Sequence, residues 1–563
     1  MASNFMPPSE PEPIPLPDRF AKIKRNLIAC KEKAVADSFY RLLRQLRKEA
    51  NHIAASGSDI IPTIDYFDIH DESKAAPFKK ALQKRGVAVV RRVIPPNVAL
   101  SWKEETQDYL RHNPHTKGSP AHDPQLYELY WSPGQIRARA DSRLLEAQRF
   151  AMSAWHSSSE DALISSDHPV AYADRLIMRH PGDNTSLGTT GPPHIAGGSV
   201  ERWERDGYGR AGTYNKIFQG RWEEHDPWDS SARLGATTDL YNGAGSCSMF
   251  RMFQGWLSLS TIAPGGGGGG SLLACCPMLQ LTTAYLLLRP FFSPRRGPDH
   301  FSTPDNPNPS PYNLNNDTSS SNPAAAFLHE NNWNLRVVQN SVLHGAIPGY
   351  IQELTAALHP HLRLPTTMVS LPHINPGDYV IWHPDLVTAA DPIHLGLSPG
   401  PQTQTQTRTQ PQPHDASVLL YVPACPLTAT NALYLARQRR AFLLGLPAPD
   451  FEANNSSYIR GGRGGGGFAS KGEKHHAGRP GVQDVCDAGG EEGLRSMGLS
   501  PWDEDERERA VMGAGRSGGA DGDGNTRNGS RAEEVERELL RLASGILFPD
   551  RFDAMYRKGT KRP

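Results

Sequence analysis

"NPGDYVIWHPDLVTAADPIH", residues 375–394, is the stretch whose reading decides the fold. Its Pro-Gly-Asp start is a turn signal, because proline presets one corner of a turn and glycine accepts the backbone angles of the other. The apolar run Tyr379–Trp382 then has the length of a buried strand, and His383, Asp385, Asp391 and His394 follow as a polar cluster. Short β-rich runs of the same kind recur from about residue 170: "RLIMRHPGD" (175–183), "FRMFQGWLSLSTIAP" (250–264), "SLLACCP" (271–277) and "ASVLLYVPACP" (416–426). Short strands separated by Gly, Pro and Asn predict an antiparallel sandwich or barrel. Helices are expected to decorate it over 277–289 and 427–445.

Outward from that centre, residues 19–56 place Phe20, Ile23, Leu27 and Ile28 at helical spacing and predict one or two amphipathic helices. "FKKALQKRGVAVVRRVIPPNVALSWKEETQDYL" (78–110) reads as a helix, a glycine stop, a β-branched strand over 87–94, a proline turn and another helix. The stretch 536–559 is again helical and apolar enough to pack. Four kinds of insertion interrupt the pattern: 265–270 (six glycines), 297–324, 399–413, and the Gly- and charge-rich blocks 453–474 and 512–532. Such compositions bury too little apolar surface to offset the entropy of ordering, so flexible loops are expected there, as is a disordered proline-rich lead over 1–18. Residues 19–563 are expected to form a single domain with its sheet core at about 165–430.

The 563 residues include 60 basic and 60 acidic side chains, so no overall field draws the chain to nucleic acid or to an anionic membrane. A small-molecule ligand is the expected partner, and the oligomeric state is left open. The six cysteines lack zinc-like spacing and predict buried thiols in a reducing compartment. With no basic start or apolar run at the N-terminus, an intracellular, cytoplasmic location is expected. The apolar segment 272–292 carries Pro277, Gln280 and Arg289 and is read as a core strand followed by a buried helix, not as a membrane span.

The chemistry centres on "GPPHIAGGSVERWE", residues 191–204. If His194 lies on a strand, residue 196 projects to the same face, since side chains alternate with a period of two. Those two positions supply imidazole and carboxylate in a 2-His-1-carboxylate iron site, yet residue 196 is alanine. In jelly-roll dioxygenases the distal histidine often falls about ten residues beyond a Gly-Asp turn, and here that position is Thr388.

"HIAGGSVERWE", "CSMFRMFQGWLSLSTIAPG", "MLQLTTAYLLLRPFF", "NPGDYVIWHPDLV", "SVLLYVPACPLTATNALYLARQRRAF" and "GLSPWDEDE" together resemble the fungal and bacterial family labelled domain of unknown function 1479, from about residue 20 to the C-terminus. The resemblance implies an α+β protein whose core is a double-stranded β-helix, a cupin-like jelly roll, wrapped by N- and C-terminal helices. It also implies kinship with the phytanoyl-CoA hydroxylase group of oxygenases, with Fe(II) and 2-oxoglutarate as cofactors. His194 matches the first histidine of the family's His-x-Asp motif, with Ala196 at its aspartate. Trp382, His383 and Asp385 match the family's Trp-His-x-Asp-x-x-His segment, with Thr388 at the last histidine. A His-x-Ala pair is also similar to the halogenase variant of the class, but that variant keeps the distal histidine.

Two functional expectations result. One is a catalytically impaired pseudoenzyme or ligand-binding protein with a degenerate metal triad. The other is an active Fe(II)/2-oxoglutarate dioxygenase acting on a small molecule, whose metal site is rearranged around His194 with His383, Asp385, Asp391 or His394. Arg251 is the candidate anchor for the carboxylate of 2-oxoglutarate or substrate, since guanidinium suits bidentate recognition; an ordinary ion pair is its plainer role. His475 and His476 read as solvated loop residues, the glycine run lacks the Lys-Ser/Thr of a phosphate loop, and no Gly-x-Ser-x-Gly elbow supports a hydrolase.

Overall fold

The computed structural model describes residues 13–119, 124–179, 192–238, 240–241, 247–262, 273–301, 323–389, 416–451, 472–502 and 531–550. The expected loops at 265–270 and 399–413 lie outside these residues, as do most of 297–324, 453–474 and 512–532, and also Asp391 and His394.

The Pro-Gly-Asp turn forms as read. Asp378 N–H donates to the Asn375 carbonyl at 3.1 Å, and Gly377 takes a φ of 87°. The buried Asp378 carboxylate accepts from the backbone N–H of Asn375 and of Arg92 at 2.9 Å each, and pairs with the Arg91 guanidinium at 2.7 Å. One turn thereby ties the strand Tyr379–Trp382 to the N-terminal strand Val87–Arg91, with Tyr379 opposite Val90. Val380 and Ile381 are fully buried, and each stabilises the fold by roughly 1.5–3 kcal/mol relative to exposure.

These strands lie in an eight-stranded sheet ordered Thr63–Asp65, Val87–Arg91, Tyr379–Trp382, Gln254–Ser258, Ser417–Tyr421, Leu176–Arg179, Leu126–Tyr127, Gly118–Ser119. Its neighbours are antiparallel except the first pair. A five-stranded antiparallel sheet is ordered Gln352–Glu353, His194–Ile195, Thr388–Ala389, Ala274–Cys275, Val369–Ser370. From residue 176 to 421 the chain passes between the two sheets: large at 176–179, small at 194–195, large at 254–258, small at 274–275, 352–353 and 369–370, large at 379–382, small at 388–389, large at 417–421.

The N-terminal helices Arg19–Ile28 and Glu32–Ser56 appear as expected. The second buries Val35, Phe39, Leu42, Leu43, Leu46, Ala50 and Ile53 at three- and four-residue spacing, the apolar stripe of a surface helix. Gly86 ends the helix Glu72–Arg85 in the left-handed conformation, the glycine stop expected there. Two boundaries differ from expectation. Residues 13–18 are described, and Leu16 packs into the main core. The strand Val87–Arg91 lies inside the large sheet, so the sheet begins well before residue 165.

The fold is thus α+β, with one large hydrophobic core reaching from Leu16 to Ala424. The helices Ala429–Leu444 and Arg531–Leu547 close a second core over Val170 and Cys425. The segment 272–292 forms the strand Ala274–Cys275 and the buried helix Leu279–Leu288, and no helix among the described residues is long and apolar enough to cross a membrane. Cys247, Cys275, Cys276 and Cys425 are buried free thiols.

Candidate functional site

His194 and Thr388 face each other directly across neighbouring strands of the small sheet. Directly opposed residues share a sheet face. Glu353 lies opposite His194 on its other side, and Cys275 lies beyond Thr388, so Glu353, His194, Thr388 and Cys275 form one row across the sheet. Two positions read from separate parts of the sequence are therefore brought together. His194 is half-buried with Nδ1 3.1 Å from the Pro192 carbonyl, and Thr388 is buried.

Ala196 is placed differently from the expectation of strand alternation. The strand ends at Ile195, and Gly197 and Gly198 turn the chain with φ of 83° and 88°. A side chain at Gly198 would meet the Thr238 carbonyl at 2.7 Å, so the close approach as well as the backbone angle calls for glycine. The turn sets Ala196 and Gly197 in the wall of a cavity of about 260 Å³, together with Arg251, Arg233, Pro384 and Thr430.

Arg251 reaches this cavity from the segment before the strand Gln254–Ser258. Its Nη1 donates to the Tyr421 hydroxyl at 2.6 Å, and its guanidinium lies 6.0 Å from the Tyr172 ring. Desolvation opposes its charge, but Cys247, Tyr421 and Tyr172 more than offset this and hold its pKa well above the ordinary value. No carboxylate is among the largest influences on it. The plainer reading of Arg251 as half of an ion pair has no partner among the described residues.

His383 and Asp385 belong to a different, closed network. The Asp385 N–H donates to His383 Nδ1 at 3.0 Å, and Nε2 donates to the Pro227 carbonyl at 3.0 Å, so both ring nitrogens are engaged. The ring stacks on Trp155 at 4.9 Å, and burial, reinforced by Arg233, lowers its pKa to about 3, leaving it neutral. Asp385 takes the Tyr214 hydroxyl on Oδ1 at 3.0 Å and Arg233 on Oδ2 at 2.6 Å. Burial alone would raise its pKa, but the Arg233 charge outweighs this and holds the carboxylate ionised.

The donor set fits an iron centre poorly. Of the three ligand positions that the sequence resemblance implies, only His194 carries a metal-binding group; Ala196 offers a methyl and Thr388 a neutral hydroxyl. His383 and Asp385 already use the atoms a metal would need. Among the described residues no group of three His, Cys, Asp or Glu side chains could hold a metal ion. His475 and His476 form no such group; His476 packs edge-on against His115 at 4.8 Å. Arg233, Tyr421 and Glu353 complete the neighbourhood and were not singled out from sequence: Arg233 and Glu353 stand in segments without a motif, and Tyr421 was read only as part of a strand.

A family model described as Gig2-like matches residues 14–499. The chain belongs to the Gig2-like family. The crystal structure of GlcNAc Inducible Gene 2, GIG2 (DUF1479), from Candida albicans superposes with a TM-score of 0.70 at 24% identity, covering 97% of this chain and 100% of that one. A protein of Salmonella typhimurium LT2 provisionally named an oxidoreductase superposes with a TM-score of 0.61 at 23% identity, over 85% of this Gig2-like chain and 96% of that one. Among curated proteins, the uncharacterized YbiU of Escherichia coli K12 is 27% identical over 423 residues, 72% of this chain and 83% of YbiU. At these identities the solved structures share the fold with this Gig2-like chain.

Proposed function

We propose that this Gig2-like protein is a degenerate member of an oxygenase-type jelly roll, retaining a small pocket for an anionic ligand after losing its iron centre. The alternation of strands between the two sheets from residue 176 to 421 supports the jelly-roll reading. The observation that carries the functional reading is the direct pairing of His194 with Thr388. That register sets the two positions side by side as an imidazole and a distal ligand would be, while the distal group is a hydroxyl. Losing even an indirect metal support typically costs about 10- to 100-fold in affinity or activity, and two direct ligands are missing here. Arg251, a cation without a carboxylate at the cavity that Ala196 lines, supplies the anion-recognising group.

The test is an anaerobic titration of the purified protein with ferrous ion and 2-oxoglutarate, followed by the visible charge-transfer band of a chelated iron site. The wild-type protein is expected to show none. Calorimetry without metal is expected to show weak binding of small dicarboxylates that Arg251→Gln removes. A saturable band in the wild-type protein, abolished by His194→Ala, would overturn the degenerate-site reading in favour of a rearranged, active dioxygenase.

A further inference from the structure

A second cleft, of about 700 Å³, opens on a different part of the molecule. It lies between the helix Glu32–Ser56, the segment after the strand Phe292–Pro294, the helix Pro323–Leu328, and the turn around Arg363. Four arginines line it, Arg47, Arg295, Arg296 and Arg363, together with His361 and Phe301, and none of the described residues that line it is acidic. In a chain with equal numbers of acids and bases, this is a strong local surplus of positive charge.

Little nearby neutralises that surplus. Arg47 pairs with Glu330 at 2.9 Å. Arg296 Nη1 contacts only the His300 ring at 3.1 Å, and Arg363 Nη1 donates to the neutral Asn51 at 2.5 Å. Arg363 is 6% exposed, yet its Nε makes no hydrogen bond, and neither does the buried Nε2 of His361. A guanidinium with few acceptors is costly to bury, so an acceptor that reached Arg363 from the cleft it lines would be stabilised. Arg363 also holds a left-handed backbone, φ 51°, unusual for a residue with a side chain.

The field behind the wall has the same sign. Burial pushes Lys24 down to about 7, and Arg336 and Arg289 push it further in that direction. Its ammonium is held by three neutral oxygens, of Pro290, Asn340 and Val342, at 2.7–3.2 Å. Burial likewise lowers His361 well below the ordinary value, with Arg289 and Arg47 acting in the same sense. Such a cleft repels cations and suits a ligand carrying more than one negative charge.

We propose that this cleft is a binding site for phosphate esters bearing two or more negative charges, separate from the pocket at Ala196 and Arg251. Guanidinium groups match phosphate oxygens in pairs, the volume lies in the range of small-molecule sites, and Phe301, Leu43 and Leu328 offer an apolar wall for the organic part of the ester.

The experiment is calorimetric titration of the full chain with ADP, pyrophosphate and citrate at matched ionic strength. ADP and pyrophosphate are expected to bind saturably, ADP at least as tightly, and citrate at least tenfold more weakly. Arg295→Gln with Arg296→Gln changes only exposed side chains and is expected to weaken ADP binding at least tenfold with the unliganded melting temperature unchanged. Arg363→Gln should do the same, and the exposed pair keeps the test valid if that buried variant fails to fold. No saturable binding of ADP or pyrophosphate, equal binding of citrate, or ADP binding indifferent to the Arg295/Arg296 double change would each overturn the proposal.

Discussion

Replacing Asp385 by alanine tests whether the Trp-His-x-Asp segment now serves structure. The carboxylate is 2% exposed and the Arg233 side chain 4%, with 2.6 Å between their charged atoms. Removing one member of such a pair leaves the other charged and buried, which costs about 3–5 kcal/mol. The Tyr214 hydroxyl loses its acceptor as well. Urea unfolding in the presence of EDTA should therefore show a midpoint lowered by that amount, with the denaturant slope preserved. Because Arg233 holds the Asp385 pKa below its ordinary value, the stabilisation is present above about pH 4 and is lost only as pH falls through the depressed pKa. The gap between wild type and variant should consequently stay constant from pH 6 to 8. Asp385→Leu combined with Arg233→Met should recover at least half of the loss, since apolar replacement of a whole buried pair is often neutral. A loss below about 1 kcal/mol, or a ferrous-ion stabilisation of the wild type that Asp385→Ala abolishes, would refute the structural reading and return Asp385 to the metal-binding candidates.

Two further outcomes are expected. Glu473 is buried beneath the backbone N–H groups of Tyr130 and Trp131, and burial pushes its pKa up to about 7 despite those bonds. A folded-state value above the unfolded one makes the folded protein bind the extra proton, so stability falls as pH rises from about 4.5 to 7, by about 3 kcal/mol in total. Glu473→Gln should abolish that slope and exceed the wild type in stability at pH 8; parallel pH profiles of the denaturation midpoint would contradict this. Gly377→Ala should destabilise by about 2 kcal/mol or more, because a side chain there meets a positive φ and the Ile94 carbonyl at 1.9 Å. An unchanged melting temperature would show that the turn can be rebuilt.

What could be read from sequence divides along physical lines. The Pro-Gly-Asp turn and the run Tyr379–Trp382 were legible because turn chemistry and burial are both local properties of a few residues. The helix Glu32–Ser56 and the glycine cap at Gly86 were legible for the same reason. The place of Val87–Arg91 inside the large sheet was not, because strand partners are fixed by packing between segments almost 300 residues apart. The pairing of His194 with Thr388 was anticipated only as two separate ligand positions. Alternation does not reach Ala196, since the strand ends at Ile195 and two glycines of positive φ follow. Arg233 and Glu353 stand in segments with no spacing signal, and the arginine cleft joins Arg47, on a helix that was legible, to Arg295, Arg296 and Arg363 far away in sequence.

The proposal that residues 196 and 388 are former ligand positions in an intact fold has a simple energetic basis. The fold is held by backbone ladders, the Asp378 clamp and buried apolar side chains, and none of these depends on which side chain stands at residue 196 or 388. A carboxylate at residue 196 or an imidazole at residue 388 would be a partly desolvated polar group, costly unless a cation or hydrogen-bond donor satisfied it. Alanine and threonine remove that cost, and threonine at the buried position keeps the β-branched shape that suits a strand. On the proposed reading, where no iron is held, alanine and threonine at these two positions are neutral or stabilising. His194, half-exposed, carries little penalty and can persist. Arg251 is the exception, because a half-buried guanidinium with no ion-pair partner among the described residues is costly. Its place in the cavity wall is the physical ground for the proposal that the pocket takes an anion.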